Sequence, residues 1–139
     1  MGKVTEKIEI TNYKDQIKAE IGIIRTEEVR RKELNGLVDS GATMLTLPEE
    51  VVEDLGLTLG KEVEVTYADG RKEKRPTAYG IKVEILGREA ETFAVVGRKN
   101  TQVLIGQIVL EALDLVIDPK KGKLGPRPES PDIPLIEIY

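Results

Sequence analysis

The chain has 139 residues, 40% hydrophobic and 33% charged, with 21 Lys and Arg against 25 Asp and Glu for a net charge of −4. That length suits one domain able to bury a real core, and the acidic balance argues against a dedicated nucleic-acid binder, which normally carries a basic surplus. Cys and His are absent, so disulfides, thiol nucleophiles, Cys/His zinc sites and Ser-His-Asp triads are excluded by inventory.

The N-terminal stretch, MGKVTEKIEITNYKDQ, has no apolar h-region, and Glu6 stands where a myristoylation motif wants Ser or Thr. No apolar run approaches the roughly 18 residues of a membrane span. These features, with the lack of Cys, make the cytoplasm the expected location and give no sign of membrane attachment. Residues 4–10, VTEKIEI, alternate at period two and predict a strand. NYKD (12–15) reads as a turn and QIKAEIGII (16–24) as a second strand, which together predict a hairpin. RTEEVRRKE (25–33) reads as a polar loop with an extended return, leading into a buried strand over LNGLVD (34–39).

MLTL (44–47) is apolar and extended. Pro48 then opens a short predicted helix, PEEVVEDL, with Glu49 and Glu50 at its positive end and Gly56 as its stop. Residues 61–78 alternate about Asp69-Gly70, a two-residue hairpin signal, and residues 80–96 form another strand pair about Leu86-Gly87-Arg88. TQVLIG (101–106) predicts an apolar strand, QIVLEALD (107–114) a short helix, and LVID (115–118) a strand closed by the turn PKKG. The tail GPRPESPD (125–132) reads as an extended arm and IPLIEIY (133–139) as a last short strand, pairing with the N-terminal strand or with another subunit. The expected organisation is therefore a domain over 1–125 and an arm over 126–139. The basic clusters RRKE (30–33) and GRKEKR (70–75) are short and interleaved with acids, which marks solvated faces. One faint echo is present: GLVDSGA…PEEVVEDLGL and QVLIG…QIVLEALDLVI both run apolar strand, glycine, short helix, apolar exit.

Asp39 is the residue that invites a chemical reading. Asp commonly serves turns, because its carboxylate accepts nearby backbone N–H groups. Here it ends an apolar strand, and Gly41 and Ala42 beside it leave room for another backbone to approach closely. Asp-x-Gly-x-Thr loops also cradle phosphates in ATPases of the actin and hexokinase type, but those need two large domains, and the chain holds no P-loop pattern.

LVDSGAT (37–43) resembles the active-site loop of the retroviral-type aspartic proteases, the retropepsins, and VLIG (103–106) followed by a helix resembles their second landmark. The likeness spans roughly residues 3–124 and is closest to the small retropepsin-like proteins of prokaryotes. It implies a mainly β fold, a closed β-barrel of the acid-protease type with one or two short helices and pseudo-twofold halves. It also implies a homodimeric aspartic endopeptidase acting on polypeptide, with no cofactor, no metal and no nucleic acid. Two carboxylates sharing one proton are needed for that chemistry, and this chain supplies one such loop, so the partner would be Asp39 of a second copy. By the same resemblance, Ser40 would bond across the dimer axis and Gly41 would offer its carbonyl to substrate. Ala42 and Thr43 would line the pocket, with Thr43 also bracing the loop, while Ile105 and Gly106 would pack beneath it. Ile105 on its own reads equally as plain core. The covering flap would be the hairpin with Tyr67, Ala68, Asp69, Gly70 and Arg71 at its tip, which lacks the glycine-rich character of viral flaps; an ordinary exposed hairpin is the other reading. Gln107 stands where viral enzymes carry a dimer-stabilising arginine. A protein of the same fold that binds peptides or dimerises without cutting remains the alternative function.

Overall fold

The computed structural model describes residues 3–138. Strand β1 (Thr5–Asn12) buries Ile8 and Ile10 completely, as its alternation predicts. The next segment departs from expectation: Tyr13–Glu20 is a helix, α1, and not a turn and strand. Asn12 is its N-cap, its side chain accepting the Asp15 N–H at 3.0 Å. The Asn-x-x-Asp pattern that suggests a turn is equally a helix start. Ile17, Ile21 and Ile23, whose spacing suggested a strand, are exposed. Asp15 is buried and accepts a forked pair from Arg30 at 2.8 and 3.0 Å, which holds its carboxyl below the usual range.

After a single 3-10 turn at Thr26–Glu28, strand β2 (Arg31–Val38) supplies the antiparallel partner of β1, from Thr5 opposite Leu37 to Thr11 opposite Arg31. The predicted N-terminal hairpin is thus opened by an inserted helix. Strand β3 (Leu45–Pro48) leads into helix α2 (Glu49–Asp54), with Pro48 as N-cap, one position before the first-turn place predicted for it. Gly56 stops the helix at φ +60°, as read from the sequence.

Strands β4 (Thr58–Thr66), β5 (Lys72–Ile85) and β6 (Arg88–Gly97) form an antiparallel meander, followed by the short β7 (Leu104–Ile105). Helix α3 (Gln107–Leu113) comes next, then a small hairpin of β8 (Leu115–Asp118) and β9 (Lys123–Pro126). The main sheet runs β1-β2-β7-β3-β6-β5-β4, and β1 pairs again with β5 from Glu9–Glu84 to Asn12–Ile81, so the sheet closes on itself with β4 outside the ring. Closure removes the free edge of the first strand. Inside sit Leu45, Leu47, Ile81, Val83, Ile105 and Leu113, all fully buried and each worth roughly 1.5–3 kcal/mol of transfer.

The echoing segments meet in this sheet. Strands β2 and β7 lie parallel, Leu37 beside Leu104 and Val38 beside Ile105, and each feeds a loop or turn that ends in a helix. Among the described residues there are three α-helices where one or two were expected. Among the described residues no helix is long and apolar enough to cross a membrane.

The expected arm begins within strand β9, whose last two residues are Gly125 and Pro126. Beyond it a buried polar knot fixes the chain: Arg127 pairs with Asp114, the Ser130 hydroxyl donates to Asp114 at 2.5 Å, and the Leu135 N–H donates to it at 2.9 Å. Arg88, buried at the β5–β6 turn, donates to the carbonyls of Leu113 and Asp114 at 3.0 and 2.9 Å and to that of Ser130. Arg127 first, then the Ser130 hydroxyl and the Leu135 amide, hold the Asp114 carboxyl far below the usual carboxylate range. Among the described residues no strand forms over 134–138, and β1 takes β2 and β5 as its partners, so 134–138 does not pair with it within the chain. Residue 139, the end of the predicted last strand, lies outside the described residues.

Candidate active site

Asp39 stands at the end of β2, half-buried, immediately after Val38 leaves the core. Its backbone N–H donates to the Ile105 carbonyl at 3.0 Å, extending the parallel β2–β7 pairing by one more bond. Its carboxylate accepts the Gly41 N–H at 2.9 Å and its carbonyl accepts the Ala42 N–H at 3.1 Å, which closes the tight turn over Ser40 and Gly41. The loop carbonyls then meet helix α3. The Gln107 and Ile108 N–H groups donate to the Ala42 and Thr43 carbonyls at 2.8 and 2.9 Å, satisfying amides that a helix start leaves unpaired.

Gly106 makes that junction possible. A Cβ there would lie 2.5 Å from the Met44 carbonyl oxygen and 2.8 Å from the Met44 N and C. Within the chain, then, the tight backbone approach at this loop falls at Gly106. A Cβ on Gly41 would meet only the Asp39 Oδ1, at 3.2 Å. Ile105 is fully buried behind the loop, and both Ile105 and Gly106 touch it through backbone neighbours. Ser40, Gly41 and Thr43 are exposed and Ala42 half-buried.

Facing the loop is a cleft of about 600 Å³. Gly41, Ala42 and Thr43 line one side, and Tyr67 and Arg71 of the β4–β5 hairpin line another. The structure therefore brings five of the sequence-predicted residues to one cavity. Asp39, Ser40, Ala68, Asp69 and Gly70 do not line it, and Ile105 and Gly106 support it from behind. The hairpin tip is a three-residue loop and not the two-residue turn predicted. The Tyr67 N–H donates to the Arg71 carbonyl at 2.9 Å, Gly70 takes φ +87°, and the Asp69 carboxylate accepts the Arg71 N–H at 3.0 Å. Asp-Gly fits that loop because the left-handed position falls on glycine.

Glu73 and Arg75, expected on a solvated face, instead have side chains only 23% and 15% exposed and complete the walls with Arg98, which sequence reasoning missed, while Val63, Val65 and Leu104 give apolar surface. The half-buried Val63 and Val65 alternate along β4, which was the one available signal. Glu73 accepts from Arg98 at 2.6 Å and from the Tyr67 hydroxyl at 3.1 Å. Arg98 holds the Glu73 carboxyl below its ordinary value against the opposing effect of burial, with Tyr67 and then Arg75 adding to the lowering.

A family model described as "gag-polyprotein putative aspartyl protease" matches residues 26–112. The matched span begins at the turn before β2 and ends within α3, so it holds the Asp39 loop, the hairpin and the whole cleft. It is narrower than the likeness over 3–124, and α1 and the tail fall outside it. The mainly β, self-closed sheet fits the retropepsin-like architecture. A sequence comparison with curated proteins finds no match.

Proposed function

The chain belongs to the gag-polyprotein aspartyl protease family, and from that footing we propose that it is an aspartic endopeptidase completed by a second copy of itself. The observation that carries the reading is the single Asp39 carboxylate, half-exposed at the margin of a cleft that a hairpin overhangs. One such group cannot act as both acid and base in the same step. A twofold axis beside the loop would set two Asp39 side chains face to face, and two close carboxylates share one proton because both cannot ionise.

In that dyad the ionised Asp39 takes a proton from a bound water, and the water oxygen attacks the scissile carbonyl carbon. The protonated Asp39 of the mate gives its proton to the carbonyl oxygen, forming a neutral gem-diol. Collapse breaks the C–N bond, with one diol proton returned through a carboxylate and the other Asp39 protonating the leaving amine. Rigidity of the 39–44 loop serves this chemistry, since it holds each carboxylate in register with its mate. Ser40, exposed beside Asp39, is suited to a hydroxyl bond across the axis, and the outward face of Gly41 to offering its carbonyl to substrate. A peptide would bind extended, adding a strand between loop and hairpin. The alternative, a peptide-binding or dimerising module without proteolysis, takes its support from Asp39 standing outside the cleft lining of the single chain.

The test is hydrolysis of unstructured casein between about pH 4 and 7, the range in which a shared carboxylate proton is available, with and without pepstatin. The proposal expects cleavage that pepstatin blocks and that Asp39→Asn abolishes with dimer mass unchanged. An intact dimer that binds peptides and cuts none would favour the alternative, and a monomer at high concentration would remove the dyad.

A further inference from the structure

The cleft exists because two strands part company. The β5–β6 ladder ends at Thr77 opposite Val95. Beyond that pair, β5 continues with β4 alone towards the hairpin tip, while β6 continues with β3, Leu47 beside Val96 and Pro48 beside Gly97. No backbone bond crosses the wedge between them. Side chains cross it instead. The Arg75 Nε donates to the Val96 carbonyl at 2.9 Å, and the Arg98 fork donates to Glu73 through Nε at 3.1 Å and Nη2 at 2.6 Å.

Glu73 is the hub of this stitching. It takes Arg98 from the segment after β6 and the Tyr67 hydroxyl from the hairpin, and Arg75 lies 3.7 Å away with its other side 3.8 Å from Glu49 of α2. Tyr67 is clamped on its ring face as well, with the Arg71 guanidinium 4.9 Å from the ring centroid. All of these except Glu49 line the cleft. An isolated exposed ion pair contributes little. Glu73 is different in that only 23% of its side chain is exposed and one carboxylate collects donors from both sides of the wedge.

We propose that Glu73 is the positioning residue of the covering hairpin: by holding Tyr67 and Arg98 together it sets the hairpin over the cleft and thereby the grip on an extended peptide. The grip rests on the peptidase reading above; the fixing of the hairpin does not. Glu73 touches no reacting atom, so its loss weakens binding more than chemistry.

Two measurements on the full chain separate these parts. Hydrogen–deuterium exchange of the free protein compares wild type with Glu73→Gln, which keeps the shape and removes the charge. Faster exchange over residues 66–72 is expected, with β1 and β2 amides unchanged as the check on folding. Should Glu73→Gln unfold, Tyr67→Phe removes one contact alone and is expected to show a smaller change in the same residues. On a denatured casein peptide, Glu73→Gln is expected to raise KM roughly tenfold with kcat within about twofold, the pattern of lost uniform binding. Combining it with Arg98→Gln should add almost nothing, because both remove one linkage. Unchanged hairpin exchange overturns the proposal whatever the activity, and so does a fall in kcat at constant KM. A wild type that cuts nothing while Glu73→Gln loosens the hairpin rejects the peptidase reading and leaves the hairpin lock standing.

Discussion

The two sides of the cleft are held by different means. The 39–44 loop is fastened through the main chain: Asp39 to Ile105, Ala42 to Asp39, and the first two α3 amides to Ala42 and Thr43, all within 2.8–3.1 Å. The 66–71 hairpin leaves the ring of strands on β4 and β5 and is tied back through side chains, chiefly Glu73 to Arg98 and Arg75 to Val96. Main-chain bonds between packed elements leave little freedom, whereas side-chain ties at the wall of an open cleft yield more readily. On the proposed peptidase reading, the carboxylate that meets its mate stands on the first kind of support and the cover that admits a peptide on the second.

The contrast breaks most visibly at Gly106. Gly106→Ala forces a methyl into the Met44 backbone, which cannot move without disturbing β3 and α3 together. The expected loss is about 1–3 kcal/mol of unfolding free energy, as for overpacking elsewhere, read from urea midpoints. A midpoint equal to wild type would mean the loop is less tightly fixed than the distances imply. A smaller effect comes from acid. Glu73 has its carboxyl held below the ordinary value by Arg98, with Tyr67 and Arg75 the other groups facing it. A depressed folded value means the tie is fully present above the unfolded value and is lost as pH falls through the folded one. Exchange over 66–72, corrected for intrinsic pH dependence, should therefore rise below the ordinary glutamate range more in wild type than in Glu73→Gln, where only the Asp69 carboxylate on the Arg71 amide still responds, with the carbonyl-bonded amides of Asp39, Ala42, Gln107 and Ile108 unaffected. Equal acid sensitivity in both segments would erase the distinction. The smallest change is expected from Gly41→Ala, whose methyl meets only a half-exposed carboxylate; it should shift unfolding by less than about 0.5 kcal/mol. A loss matching that of Gly106→Ala would contradict the assignment of the crowded junction.

How far these walls were legible in the sequence follows from the range of the interactions. LVDSGAT and VLIG announced the loop and the strand beneath it, because each is a contiguous pattern. The Asp69-Gly70 pair announced the hairpin, though not its three-residue tip, which depends on the Asp69 carboxylate closing on the Arg71 amide. The lock between Glu73 and Arg98, 25 residues apart, has no sequence period and was invisible. Long-range chemistry also explains the misread ends. Asn12 serves both β1 and α1, and its side chain donates to the Leu55 carbonyl at 2.8 Å, a tertiary contact that favours the helix start over a turn. In the Pro-rich tail, no contiguous pattern signals that Arg127, Ser130 and Leu135 gather around the one Asp114 carboxylate.

The central claim is that one reaction centre needs an Asp39 from each of two copies, and subunit mixing tests it most directly. Wild type and Asp39→Asn are unfolded together, refolded at varying ratios and assayed on casein at constant total protein. A shared centre predicts activity falling as the square of the wild-type fraction, to about one quarter in an equal mixture, because only dimers with two intact subunits cut. Activity falling in direct proportion to the wild-type fraction, to about one half in that mixture, would show that each chain works alone and would contradict the account.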